Sequence, residues 1–145
     1  MAKFVYKFET IKKTKEALEK KAQKEVALID LEIAKLIDEY KQIEEEELNS
    51  KKSWAKKDVS ISEIKFKKNY ELLLARKKSE LMNQLQKLKE KKDLKLKELI
   101  EKSKEHKIFE TLEDTYHENF TAEQNNIELK FIDELATQKF IRQTK

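Results

Sequence analysis

The sequence contains no glycine, no proline and no cysteine in 145 residues. Average usage, about 7% glycine and 5% proline, would supply roughly ten and seven of the first two, so the chain lacks the residues that most often end helices and shape turns. Without glycine there is no phosphate-cradling glycine loop and no glycine-dependent oxyanion turn. Without cysteine there is neither a disulfide framework nor a thiolate metal site. No run of 18 apolar residues occurs, and the start MAKFVYKFETIKK lacks the apolar region of a signal peptide, which predicts a cytosolic protein. An enzyme on this chain would have to be built from helix-borne carboxylates, and no catalytic constellation stands out. The expectation is a non-enzyme with no cofactor.

What is present is charge and helical periodicity. Charged residues make up 43% of the chain and apolar ones 38%, with a net charge of only +4. Lys, Glu, Leu, Ile and Ala dominate, a composition of long helices and coiled coils, and helical spacing of the apolar residues argues against disorder. From Phe4 they step by three and four through Phe8 and Ile11, pass Lys15, and continue through Leu18, Ala22, Val26, Ile29, Ile33, Leu36, Tyr40 and Ile43. The two consecutive fours at Leu18, Ala22 and Val26 read as a stutter, which unwinds a coiled coil locally without ending it. This predicts one helix over about residues 4–50.

The pattern fails in LNSKKSWAKKDVSIS, placing a turn at about 49–62. Asn49, Ser50 and Ser53 compete for backbone hydrogen bonds, and Ser60-Ile61-Ser62-Glu63 reads as a capping box. A second helix over about 61–141 is carried by Ile64, Tyr70, Leu74, Leu81, Leu85, Leu88, Leu99 and Phe109, with lysines at several seam positions between Leu88 and Leu99 that predict fraying or solvent access. Asn119 and Thr121 offer a further cap where this helix is expected to kink or restart. The fold class is therefore all-α: an antiparallel two-helix coiled-coil hairpin, a single elongated domain over 1–145, with helix two longer than helix one. Pairing across a turn near 55–59 sets Phe4 opposite residues 106–114 and leaves everything beyond about residue 115 as an overhang.

Charge is uneven along the chain. Residues 1–47 hold 10 Lys+Arg against 12 Asp+Glu, residues 51–107 hold 19 against 9, and residues 108–145 hold 4 against 8, giving −2, +10 and −4. The stretches KKSWAKK (51–57) and KEKKDLKLK (89–97) offer phosphate contacts, with Trp54 able to stack on a base. Interspersed Glu and even Lys spacing fit the solvated face of a coil better, so an acidic protein surface is the stronger reading and nucleic acid the weaker. His106 and His117 share a helix face with Glu110 and Glu113. Helical iron sites need Glu-x-x-His from two helices, so ordinary polar surface is expected and no metal.

The overhang carries IELKFIDELATQKFIR, residues 127–142. On a helical wheel Ile127, Phe131, Leu135 and Ile141 form one apolar face, and Leu129, Ile132, Ala136 and Phe140 a second. A two-stranded coil needs one seam, so the surplus face calls for a cover: a fold-back bundle, a homodimer seam, or a docked partner.

The run EQNNIELKFIDELATQKFIR, residues 123–142, resembles the C-terminal signature of the FliJ family of flagellar export proteins through Glu123, Gln124, Ile132, Asp133, Glu134, Leu135, Ala136 and Arg142. The start FVYKFETIKK and the segment IFETLEDTYHENF are similar to that family too. The resemblance implies a coiled coil similar to the central stalk of rotary ATPases, seated in the hexameric ATPase ring of the flagellar type III export apparatus. It also implies contact with the cytoplasmic region of the membrane export gate and escort of empty export chaperones. The family's gate-contacting face, spaced four, three, four, maps by ungapped counting onto Tyr70, Leu74, Lys77 and Leu81. Leu129, Ile132, Asp133, Glu134, Ala136 and Phe140 are the expected partner-binding residues for the ATPase. Such a protein is cytoplasmic and meets the inner membrane only through the gate. The alternatives are an injectisome stalk of the same type and a basic coiled-coil nucleic-acid binder.

Overall fold

A computed structural model describes residues 2–54 and 60–144. It contains two helices, α1 Glu9–Trp54 of 46 residues and α2 Ile61–Thr144 of 84, and among the described residues no strand. The centre of the turn expected at 49–62 lies outside the described residues. Its far side is as expected: the Ser60 amide donates to Glu63 Oε2 (3.3 Å) and the Glu63 amide to Ser60 Oγ (3.4 Å), a capping box that satisfies two donors at the start of α2. The near side differs. Asn49 and Ser50 do not end α1, which runs on to Trp54, because Asn and Ser lower helix propensity only modestly and neither glycine nor proline follows. Nor does α2 restart at Asn119–Thr121. Thr121 sits within the helix and its hydroxyl donates to the His117 carbonyl (3.0 Å).

The chain forms two compact units, Lys20–Ile100 and Met1–Glu19 with Glu101–Lys145. In the first, Glu25 pairs with Lys95 (3.3 Å), Asp30 with Lys92 (2.6 Å) and Glu47 with Lys78 (2.8 Å). One partner number falls as the other rises, so the helices run antiparallel as a hairpin. Its buried residues are Ala22, Val26 and Ile29 on α1 and Leu74, Leu81 and Leu85 on α2; the register of the pairs sets them at different levels, Leu81 lying beside Ile43. Ile33, Leu36, Tyr40 and Ile43 continue the seam half-buried, which keeps the strict alternation of three and four that holds two helices in register. Lys92 and Lys95 occupy seam positions, as the sequence suggests. Where fraying or solvent access is expected, the helix is continuous, while both lysines stay partly exposed, their ammonium groups reaching Asp30 and Glu25. Ile64, in contrast, is exposed, lying at the end of α2 before the seam closes.

In the second unit α1 starts at Glu9 instead of Phe4. Residues 2–6 are neither helix nor strand, and the Glu9 amide donates to the Tyr6 carbonyl (3.3 Å) at the entry to the helix. The stutter is also absent. Counting back from Ala22, the less exposed positions are Glu19, Lys15, Lys12 and Phe8, while Ile11, 43% exposed, and Leu18 flank the seam. An unbroken repeat of three and four thus prevails over the more apolar stripe, and the charged side chains at the seam are matched by partners on α2.

Candidate docking surfaces

In this second unit the seam is polar. Lys12 bonds the Glu113 carboxylate, Lys15 reaches Glu105 Oε2 at 3.0 Å, and Glu19 accepts from Ser103 Oγ at 3.0 Å while pairing with His106 Nδ1 at 2.6 Å. The hydrogen bond it donates to Glu113 holds the Lys12 ammonium above the ordinary lysine pKa, and the hydrogen bond from Lys15, then the charge of Lys102, holds the Glu105 carboxyl below its ordinary value. His106 is therefore a seam residue, correcting the expectation of polar surface. Its Nε2 lies 3.3 Å from Glu110 Oε1. Glu113 is occupied by Lys12, and among the described residues no group of three His, Asp or Glu is placed to hold a metal ion.

Ahead of α1, residues 4–8 lay aromatic rings on α2. Phe4 meets His117 edge-on (4.9 Å between ring centroids) and Phe120 at 5.6 Å, Tyr6 meets Tyr116 at 6.0 Å, and Phe8 meets Phe109 at 6.3 Å. Tyr6 is only 7% exposed and donates its hydroxyl to the Phe109 carbonyl at 2.8 Å; burial, then the charge of Glu113, pushes its pKa above the ordinary tyrosine value. Phe4 thus sits opposite residues 117–120, beyond the 106–114 expected. The pairs Lys12–Glu113, Lys15–Glu105 and Glu19–His106 have partner numbers summing to 120–125, and Phe4 with His117 and Phe120 keeps that register, which an expectation centred on a turn near 55–59 places too early along α2. The signal missed was the density of aromatics at 4–8 and again at 109–120.

From residue 125 to 144 every residue of α2 is exposed. Ile127, Leu129, Phe131, Ile132, Leu135, Phe140 and Ile141 run from 49% to 67% exposed, so both apolar faces are bare, including each of Leu129, Ile132, Asp133, Glu134, Ala136 and Phe140. The second expected surface is placed differently. Leu74, 1% exposed, and Leu81 are core residues packed on α1, and the Tyr70 hydroxyl donates to Glu46 Oε2 (3.4 Å). Of that set only Lys77 is open, on the rim of a groove with Glu39, Gln42 and Glu80. Ungapped counting landed on the inward stripe, which shares the spacing four, three, four with any outward one. The outward apolar residues nearby are Phe66, Leu72, Leu73 and Met82.

The model of the family described as "Flagellar FliJ protein" matches residues 4–145, essentially the whole chain. The chain belongs to the FliJ family. Comparison with curated proteins and with solved structures gives no match. As a FliJ-family member it is a flagellar export-related coiled-coil protein, a structural component of export. Among its described residues no helix is long and apolar enough to cross a membrane.

Proposed function

We propose that this FliJ-family chain is a stalk-like mechanical link in flagellar protein export, joining the export ATPase ring to the membrane export gate and escorting export chaperones, with ATP hydrolysis left to its partner. The observation that carries the reading is the bare, two-faced helix over residues 125–144. Contiguous exposed apolar surface of this kind marks an interaction site, and the residues bearing the family signature lie on it. Docked there, the subunits of the ring would cover Leu129, Ile132, Ala136 and Phe140, with Asp133 and Glu134 at the rim. On the gate side Lys77 is the accessible member of its set, while Leu74 and Leu81 keep the hairpin closed. The working location is the cytoplasmic face of the inner membrane.

Retention of the full chain on immobilised export ATPase tests this. Wild type is expected to bind, and Leu129→Ala/Ile132→Asp/Phe140→Ala to lose binding with its helical circular dichroism intact. Failure of the wild type to bind, or equal binding by the variant, refutes the docking.

A further inference from the structure

Within Lys20–Ile100, the last turn of α1 and the first turns of α2 bring cationic and apolar side chains together. Ser53 and Trp54 of α1 share a groove with Phe66 and Tyr70 of α2. Around it Lys51, Lys52, Lys65 and Lys68 are exposed. None of these four is held in an ion pair among the described residues, and Lys67 only touches Glu71 at 4.0 Å. Among the described residues the nearby acids Glu63, Glu46 and Glu47 are engaged, in the capping box, with Tyr70 and with Lys78. Between the lysines stand Ile61 at 76% exposure, Phe66 at 65%, and Ile64. Lys51 and Lys52 suit the negative end of α1, but Lys65 and Lys68 lie beyond the first turn of α2, and among the described residues no ion pair accounts for them.

We infer that this end of the hairpin binds the surface of an anionic phospholipid bilayer directly, lysines against headgroups and Ile61, Ile64 and Phe66 in the boundary below them. Lysine clusters next to exposed aromatic and aliphatic residues fit an anionic interface, since each cation gains from the negative surface potential and each apolar side chain from leaving water. A nucleic acid would use the lysines and Trp54, but it gives Ile61 and Ile64 nothing to bury against. The contact goes beyond the gate-mediated approach to the membrane and is independent of docking at residues 125–144. The contact is interfacial and reversible: among the described residues no helix is long and apolar enough to cross the bilayer.

Sedimentation of the full chain with vesicles of phosphatidylcholine, alone or mixed with phosphatidylglycerol, tests it, and Trp54, the sole tryptophan, reports insertion by its emission. Binding is expected only to phosphatidylglycerol-containing vesicles, with a blue shift, and is expected to weaken with added salt. Lys65→Glu/Lys68→Glu should lower partitioning by roughly thirtyfold or more. Both lysines are exposed on the helix, so helical circular dichroism should be unchanged, and a loss of partitioning with intact helicity is a loss of the contact. Ile61→Ser/Phe66→Ser should abolish the blue shift with helicity unchanged. Three outcomes overturn the inference: no retention on anionic vesicles at low salt, equal retention on phosphatidylcholine alone, or no effect of Ile61→Ser/Phe66→Ser. Single-stranded oligonucleotide binding in place of vesicle binding would assign the surface to nucleic acid instead.

Discussion

Tyr6 and Phe109, 103 residues apart in sequence, are joined by a 2.8 Å hydrogen bond from the tyrosine hydroxyl to the backbone carbonyl. The bond closes the aromatic strap formed by residues 4–8 over α2 and fixes where α1 begins. Tyr6→Phe keeps the ring and removes the donor, so amide exchange in residues 9–19 should rise by roughly fivefold, the equivalent of one ordinary hydrogen bond. Tyr6→Ala should release the strap altogether.

Salt should act unevenly along α1. The pairs Lys12–Glu113 and Lys15–Glu105 are partly exposed and lose strength as ions screen them. Further along α1, Leu36 lies beside Leu88 and Ile43 beside Leu81, an apolar stretch of seam that screening leaves intact. Hydrogen exchange at low and high salt should show faster opening of residues 10–19 in salt and little change around residues 33–43.

Alkaline pH should loosen the same region. Tyr6 and Lys12 both have folded pKa values above their ordinary 10.0 and 10.5, so the unfolded chain releases these protons first. Between the ordinary and the raised values the folded state holds more protons, and stability falls as pH rises. Glu105 has the opposite sign: its folded pKa lies below the ordinary 4.5, so its contribution is present above 4.5 and is lost as pH falls through the folded value. Thermal melts across both limits should decline at each end, and Glu105→Gln should flatten the acid limb.

Leu74 and Leu72 separate core from surface two residues apart. Leu74→Ala should cost about 2–5 kcal/mol, as for a fully buried leucine, whereas Leu72→Ala should stay within about 0.5 kcal/mol, both measured by chemical denaturation. A gate-binding defect in Leu74→Ala would therefore report a damaged hairpin, and Lys77→Glu is the cleaner probe of that face.

Glu19 has two partners on α2, Ser103 and His106. Glu19→Ala leaves both half-buried groups without their acceptor and should cost about 1–3 kcal/mol, while Glu19→Gln, which retains an oxygen, should recover part of the loss in the same denaturation experiment.

The hairpin was legible in the sequence because missing breakers and a repeat of three and four leave a long chain few other choices. The capping box at Ser60 and Glu63 could be read directly, since its geometry is local. The seam near the start of α1 was not, because Ile11 and Leu18 look like core by composition, whereas Lys12, Lys15 and Glu19 become seam residues only once Glu113, Glu105 and His106 face them. Both apolar faces of 127–141 were visible on a wheel, and the structure leaves them uncovered. Of Tyr70, Leu74, Lys77 and Leu81, the structure turns Leu74 and Leu81 inward and leaves Lys77 open, a division not legible beforehand because spacing alone does not distinguish the inward stripe of a helix from an outward one.

Residues 4–8 also work as a ruler. Their contacts on α2 reach Phe120, and α2 is bare from residue 125, so the point where it becomes bare is set by a segment more than 100 positions away. Lengthening or shortening that segment would change how much of the signature-bearing helix is free for a partner while leaving every residue of that helix untouched.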